Sequence, residues 1–384
     1  MPRVDIPPKM LVWACERSGQ GVEPFLERIP RLGDWLAEKA QPTLKQLEAF
    51  AKATRTPLGY LFLPEPPDER VPMPDFRAVA ASLHAGPSPE LLDTIHAMQQ
   101  RQAWLHEALV EGGADVLPFV GSARLEDSPE SIAAEMRRIV GLEDAWTDSV
   151  RSVRTWQEAV LELRRRIEKL GVMTIINGIV GNNTHRPLDV AEFRGFAIVD
   201  GHAPLIFVNG ADARSAQMFT LAHELAHVWL GAEGLSGFEA LFPLGTVVEN
   251  WCNKVAAEFL VPAKEFHAHW REAKRTEHPF ETLAREFKVS PIVAARRALD
   301  LRLIARDAFS SFYHEYTQRE RQSKPRTGGG DFYNNQNTRV GALFAGHVIR
   351  AAMEGRIGFK EAYDLTDLHG GAFQEYAARL GVDV

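Results

Sequence analysis

The chain has 384 residues, 45% hydrophobic and 25% charged, enough for two or three domains with cores of their own and ordinary for a soluble globular protein. Its formal net charge of −7 excludes a basic nucleic-acid footprint spread over the whole chain, although a local patch fits within that sum. Two cysteines, Cys15 and Cys252, form no disulfide framework and fit a reducing compartment. With no signal-peptide pattern and no apolar stretch long enough for a bilayer, the expectation is a cytoplasmic protein without a membrane partner.

Residues 1–64 read as a domain of several short helices. Met10, Leu11, Ala14 and Cys15 share a face with Trp13, and Leu32, Trp35 and Leu36 form another. Pro42-Thr43-Leu44-Lys45-Gln46-Leu47 opens as a helix start should, and Thr56-Pro57-Leu58-Gly59-Tyr60-Leu61-Phe62 begins a last element. This order, with its P-T-L-x-Q-L signature, is similar to the helix-turn-helix domain of phage-type (XRE-type) repressors, which implies DNA as a partner through this domain. The match is degenerate. Gly19 to Pro30, where the reading helix falls, holds one basic residue, Arg28, opposed by Glu23 and Glu27, and phosphate binding needs cations. The competing account is a helical platform for self-association or partner binding.

Residues 65–153 read as a proline-rich linker and helical bridge. Pro64 to Pro74 is a connector, followed by Asp75-Phe76-Arg77 as a docking segment. Helices are predicted from Ser88 to Glu111 and from Ser128 to Val140, the second with Pro129 at its first position. No chemical motif falls here, so the region is taken as structural.

Residues 154–310 carry the chemistry. A helix starts near Thr155 and ends at Gly171; strands follow at Val172–Ile176, Phe193–Val199 and Pro204–Val208, the last two joined by a turn at Asp200-Gly201. Leu205 to Asn209 is the candidate sheet edge for pairing with an extended substrate, plain sheet core being the alternative. The next helix, capped by Asp212 and ended by Gly231, contains His223-Glu224-Leu225-Ala226-His227, an H-E-x-x-H motif. The histidines lie one turn apart on one face, so both imidazoles reach one ion. Glu224 is placed to take a proton from water polarised by that ion.

An ordinary amphipathic helix is the competing account, and a third ligand decides between them. A helix from Val248 to Pro262 offers Glu249, with Asn253 one turn later to accept the second N–H of a ligating histidine. Two histidines and a glutamate leave a position open, the arrangement of catalytic zinc sites. Glu258 is the rival ligand, more than two turns from Glu249, and reads as a solvated charge. Cys252 reads as a small buried packing residue, a fourth zinc ligand being the alternative.

T-L-A-H-E-L-A-H followed by E-x-x-x-N-x-x-A-A-E-F-L-V-P resembles the ImmA/IrrE family of metallo-endopeptidases, thermolysin-like in their zinc logic. Cys252 and Val255 depart mildly from the family pattern. The resemblance implies one Zn²⁺ per chain on His223, His227 and Glu249, with Glu224 catalytic and Asn253 supporting a ligand. It also implies a specific protein substrate, such as a repressor or a toxin–antitoxin partner.

His267, His269 and His278 follow, each able to aid a developing oxyanion, with no choice among them. Leu283 to Leu299 looks like another helix-turn-helix, taken as packing under the zinc site. Residues 311–384 read as a flexible joint at Pro325 to Gly330 and a helical module. Its helix from Thr338 to Arg356 suits partner binding or homo-oligomerisation.

The expected fold is α+β and predominantly helical: a helix-turn-helix-like domain, a helical bridge, a zincin-like peptidase domain with a small sheet, and a helical tail. The expected function is a cytoplasmic zinc-dependent endopeptidase with a regulatory role. The alternative is a DNA-binding transcriptional regulator, or an antitoxin that binds a toxin stoichiometrically, with a non-catalytic zinc site.

Overall fold

The structure, a computed structural model, describes residues 3–73, 86–142, 153–236, 246–322 and 336–381. They form a mostly helical α+β protein with a small mixed sheet and a helical C-terminal tail. The segment Asp75-Phe76-Arg77 and the glycine-rich joint before residue 331 lie outside the described residues. The chain divides into two compact units, Met1–Pro72 with Val79–His96, and Met73–Ala78 with Ala97–Val384.

The first unit contains α1 (Pro8–Arg17), α2 (Glu23–Arg28), α3 (Leu32–Leu36) and α4 (Leu44–Ala53), then a 3-10 turn at Leu58–Phe62. Helix α4 starts at a capping box. Thr43 Oγ1 accepts the Gln46 N–H at 3.3 Å, and Gln46 Oε1 accepts the Thr43 N–H at 2.9 Å. Met10, Leu11, Phe25, Leu32, Trp35, Leu47 and Phe50 bury together as the core. The proline-rich connector folds back onto α1. Arg17 donates Nε and Nη2 to the two carboxylate oxygens of Glu69, at 2.5 and 2.7 Å, and Nη1 to Arg55 O at 2.6 Å.

The second unit takes α5 (Pro89–Glu111) from Ala97 onward, then α6 (Pro129–Val140) and α7 (Trp156–Lys169). Thr155 and Glu158 close a second capping box at the start of α7. The strands β1 (Met173–Asn177), β2 (Ile179–Val180), β3 (Asn183–Pro187), β4 (Gly195–Ile198) and β5 (Leu205–Asn209) precede helix α8 (Arg214–Leu230); β6 (Gly234–Ser236) follows it. The main sheet has the order β1-β5-β4-β6, with β1 parallel to β5 and the other neighbours antiparallel; β2 and β3 form a separate hairpin.

This order corrects one expectation. Leu205–Asn209 is no edge: β1 and β4 pair with it on its two sides, and all five residues are buried. Its unbroken apolar pattern belongs to a strand covered on both faces. Among the described residues β1 and β6 each have a neighbouring strand on one side only, and β6 is the edge that adjoins β4. Three residues are too few to announce themselves by alternation.

Helix α8 is buried from Gln217 to Trp229. It packs on α7, β4 and β5, and on α9 (Val247–Leu260). Gly231 ends it in the left-handed region at φ 73°. Its start differs from expectation. Ala213 is the N-cap, and Asp212 sits one residue earlier, 3.6 Å from Arg194 Nε. Four more helices follow: α10 (Ala263–Ala273), α11 (Pro279–Phe287), α12 (Pro291–Asp300) and α13 (Arg306–Gln322).

The tail begins with a π turn at Asn337–Gly341, where a plain helix is expected, then forms α14 (Ala342–Met353), α15 (Phe359–Thr366) and α16 (Gly371–Arg379). It is fastened to the rest of the unit by buried and part-buried polar contacts. Arg101 of α5 donates to Leu365 O at 2.9 Å, Arg339 O at 3.1 Å and Asp367 Oδ2 at 2.9 Å. Asn182, in the β2–β3 turn, donates to Asp367 O at 2.9 Å.

Candidate metal centre

Helix periodicity sets His223 and His227 on one face of α8, and the packing of α9 against that face brings up Glu249. Helix α9 is N-capped by Thr246, whose Oγ1 accepts the Glu249 N–H at 3.3 Å, so Glu249 stands in the first turn. His227 Nε2 lies 3.1 Å from His223 Nε2 and 2.9 Å from Glu249 Oε1; His223 Nε2 lies 3.2 Å from Glu249 Oε2. All three residues are buried, and one ligand atom of each lies within 4.8 Å of the others.

This donor set fits a divalent zinc. The N–H of His227 at Nδ1 donates to Ala232 O at 3.0 Å; a neutral ring then turns its Nε2 lone pair toward Glu249 and His223. Two Nε2 atoms and a carboxylate crowd one buried point that a cation would satisfy. His223 Nδ1 and Asn253 Oδ1 are both buried without a well-formed hydrogen bond. The Asn253 side chain nonetheless helps to favour the charged form of His223.

The charges are tightly linked. Burial pushes the His223 and His227 pKa values down, but neighbours outweigh it and both end raised. Glu249 acts most strongly on His223, and Cys252 with Glu249 on His227. Burial pushes the Glu249 carboxyl up, and the two histidines bring it well below the usual carboxylate range. Cys252 is fully buried and its thiol is pushed up, first by burial. Among the described residues the metal-capable group takes in neither Cys252 nor Glu258.

Glu224 is fully buried, and its charge acts on both His223 and Cys252. Strand β4 passes close beside it. A Cβ on Gly195 would lie 3.0 Å from Glu224 Oε1 and 2.7 Å from Thr220 Cγ2. A cleft of about 400 Å³ is lined by Phe219, Asn253, Glu258 and Arg297 among others, and by none of His223, Glu224, His227 and Glu249; the Phe219 ring stacks against that of His223.

Other candidates stand elsewhere. Glu258 is not a solvated charge: it is buried, pairs with Arg297, and accepts the Ala263 N–H at 3.1 Å. Its partner comes from α12, 39 residues away, and helix spacing carries no trace of that. His267 and His278 are exposed, and His269 packs edge-on against Phe287. None of the three joins the metal-capable group among the described residues.

Residues 167–299 match the family model of the IrrE N-terminal-like domain, a peptidase family (M78), and residues 340–379 match a domain of unknown function (DUF8813). The first match spans the whole sheet, α8 and α9. It supports an ImmA/IrrE-type peptidase domain there, with a metallopeptidase-type regulatory function. No curated protein matches the chain.

Proposed function

We propose that the chain is a zinc-dependent endopeptidase in which His223, His227 and Glu249 hold one Zn²⁺ and Glu224 moves the proton. The observation that carries this reading is the convergence of two buried Nε2 atoms and the Glu249 carboxylate on one point. When bound, zinc supplies Lewis acidity, polarising a peptide carbonyl and acidifying water. The carboxylate of Glu224 accepts a proton from the attacking water and returns it to the departing amine nitrogen. Ala232 O orients His227, and Asn253, whose side chain favours the charged form of His223, is the candidate to accept the second N–H of that ring. The edge of β6 offers main-chain groups to an extended substrate, beside the strand that carries Gly195. A specific protein, such as a repressor or a toxin–antitoxin partner, fits a regulatory peptidase. The C-terminal module and the N-terminal helical domain are its candidate partner-binding surfaces.

The test compares wild type with Glu224→Gln and Glu249→Ala. Bound zinc is measured by mass spectrometry, and new protein termini are mapped in a lysate of the native host and in the products of adjacent genes. The expected result is one zinc in wild type and Glu224→Gln, loss of that zinc in Glu249→Ala, and specific cleavage by wild type alone. Cleavage that survives Glu224→Gln removes this mechanism. Zinc bound by wild type without any cleavage favours a DNA-binding regulator or stoichiometric antitoxin instead.

A further inference from the structure

A second group of metal-capable side chains stands at the turn between β4 and β5. Asp200 organises that turn: its Oδ1 accepts the backbone N–H of His202 at 2.9 Å and of Ala203 at 2.7 Å. Helix α5, 94 residues earlier, brings His106 Nδ1 to 2.9 Å from the same oxygen. The His202 ring meets the His106 ring edge-on, with centroids 5.4 Å apart and planes at 89°. One ligand atom from each of the three residues lies within 4.8 Å of the others. All three are partly exposed, so an ion would reach them from solvent.

The geometry points to a second site, built by His106, Asp200 and His202, for a divalent first-row transition ion of the zinc and copper class. Two imidazoles and one carboxylate suit such ions, whereas Mg²⁺ and Ca²⁺ call for oxygen ligands. Asp200 is held in its ionised form. Burial raises its pKa, but His106 and the two backbone N–H groups bring it below its ordinary value. Its Oδ2 takes no part in those hydrogen bonds. Three protein donors leave coordination positions for water.

The placement gives such an ion a consequence. It would join α5 to the β4–β5 turn, which the Leu117 N–H also grips through Gly201 O at 2.7 Å. That turn ends the strand on which Gly195 lies beside Glu224. An ion there binds the folded chain selectively and raises its stability. The competing account is a plain His106–Asp200 hydrogen bond that holds the turn without metal.

The test is zinc titration of the metal-stripped full chain against a chromophoric chelator, with His106→Gln and His202→Ala beside wild type. Both histidines are partly exposed, and circular dichroism checks that each variant keeps its fold. Each variant is expected to bind one zinc equivalent fewer than wild type. Loss of a direct ligand should weaken that equivalent by more than the ~10–100-fold typical of an outer-sphere partner. Millimolar Mg²⁺ should leave it in place. A variant that keeps the full wild-type stoichiometry and affinity overturns the assignment. As a second readout, paramagnetic resonance of added Cu²⁺ should show two imidazole nitrogens in the His223→Ala, His227→Ala double variant, and one after His202→Ala in the same background. An unchanged spectrum also overturns it. The double variant removes both imidazoles of the buried centre, so this readout does not depend on the peptidase reading.

Discussion

Gly195 leaves the space that the Glu224 carboxylate occupies: a Cβ at that position would stand 3.0 Å from Glu224 Oε1 and 2.8 Å from the Phe207 carbonyl oxygen. The strand and the helix that carry these residues are packed too closely for a side chain. Gly195→Ala should therefore move the carboxylate or spread the sheet. The expected loss of stability is about 1–3 kcal/mol, as for other overpacked interiors. On the proposed mechanism, cleavage should fall by about 100-fold, the effect of a small misplacement of a reacting group, while zinc stays bound. Urea unfolding and zinc content, measured on the same sample, check this; full activity in Gly195→Ala would show that Glu224 has room to spare.

The ion pair between Glu258 and Arg297 is buried on both sides, and Arg297 also donates to Val261 O at 2.9 Å. Glu258→Ala should cost about 3–5 kcal/mol, because it leaves a buried guanidinium without its carboxylate. Replacing both residues with apolar ones of similar volume should recover much of that loss. Chemical denaturation of the single and double variants decides it. Equal stability of wild type and the single variant would mean that solvent reaches Arg297.

Asp200 supplies a pH dependence. Its folded pKa lies below the ordinary value of 3.8. The stabilisation is therefore present above that value, where the unfolded carboxyl is also ionised, and is lost as pH falls through the folded pKa. The stability gap between wild type and Asp200→Asn should be open at about pH 5, above the ordinary carboxyl range. It should then close below 3.8. Denaturation in metal-free buffer at several pH values tests the sign, and a gap that widens in acid would contradict it.

Metal removal should be visible without any substrate. An ion that binds only the folded chain adds about 2.7 kcal/mol at a hundredfold excess over its dissociation constant. Chelator should lower the melting temperature of wild type, and added zinc should restore it. Glu249→Ala should show a much smaller response, limited to whatever binds outside the buried centre. A wild-type melting curve indifferent to chelator and zinc would argue against a metal centre.

Much of this protein is a matter of local pattern. Four-residue spacing puts His223 and His227 on one helix face whatever surrounds them, and Thr43 with Gln46, or Thr155 with Glu158, starts a helix by hydrogen bonds among near neighbours. The H-E-x-x-H helix, its glycine stop and the glutamate-bearing helix after it are legible for that reason. The remaining features come from contacts between distant elements. Strand β5 is interior because β1 pairs with it in parallel from 32 positions away (Met173 with Leu205), and an apolar run alone cannot tell edge from centre. Glu258 is buried because Arg297 reaches it from another helix, and His106 meets Asp200 across 94 residues. Periodicity reports which face of an element is apolar. Only the packed chain decides which charged side chains from separate elements come to share one point.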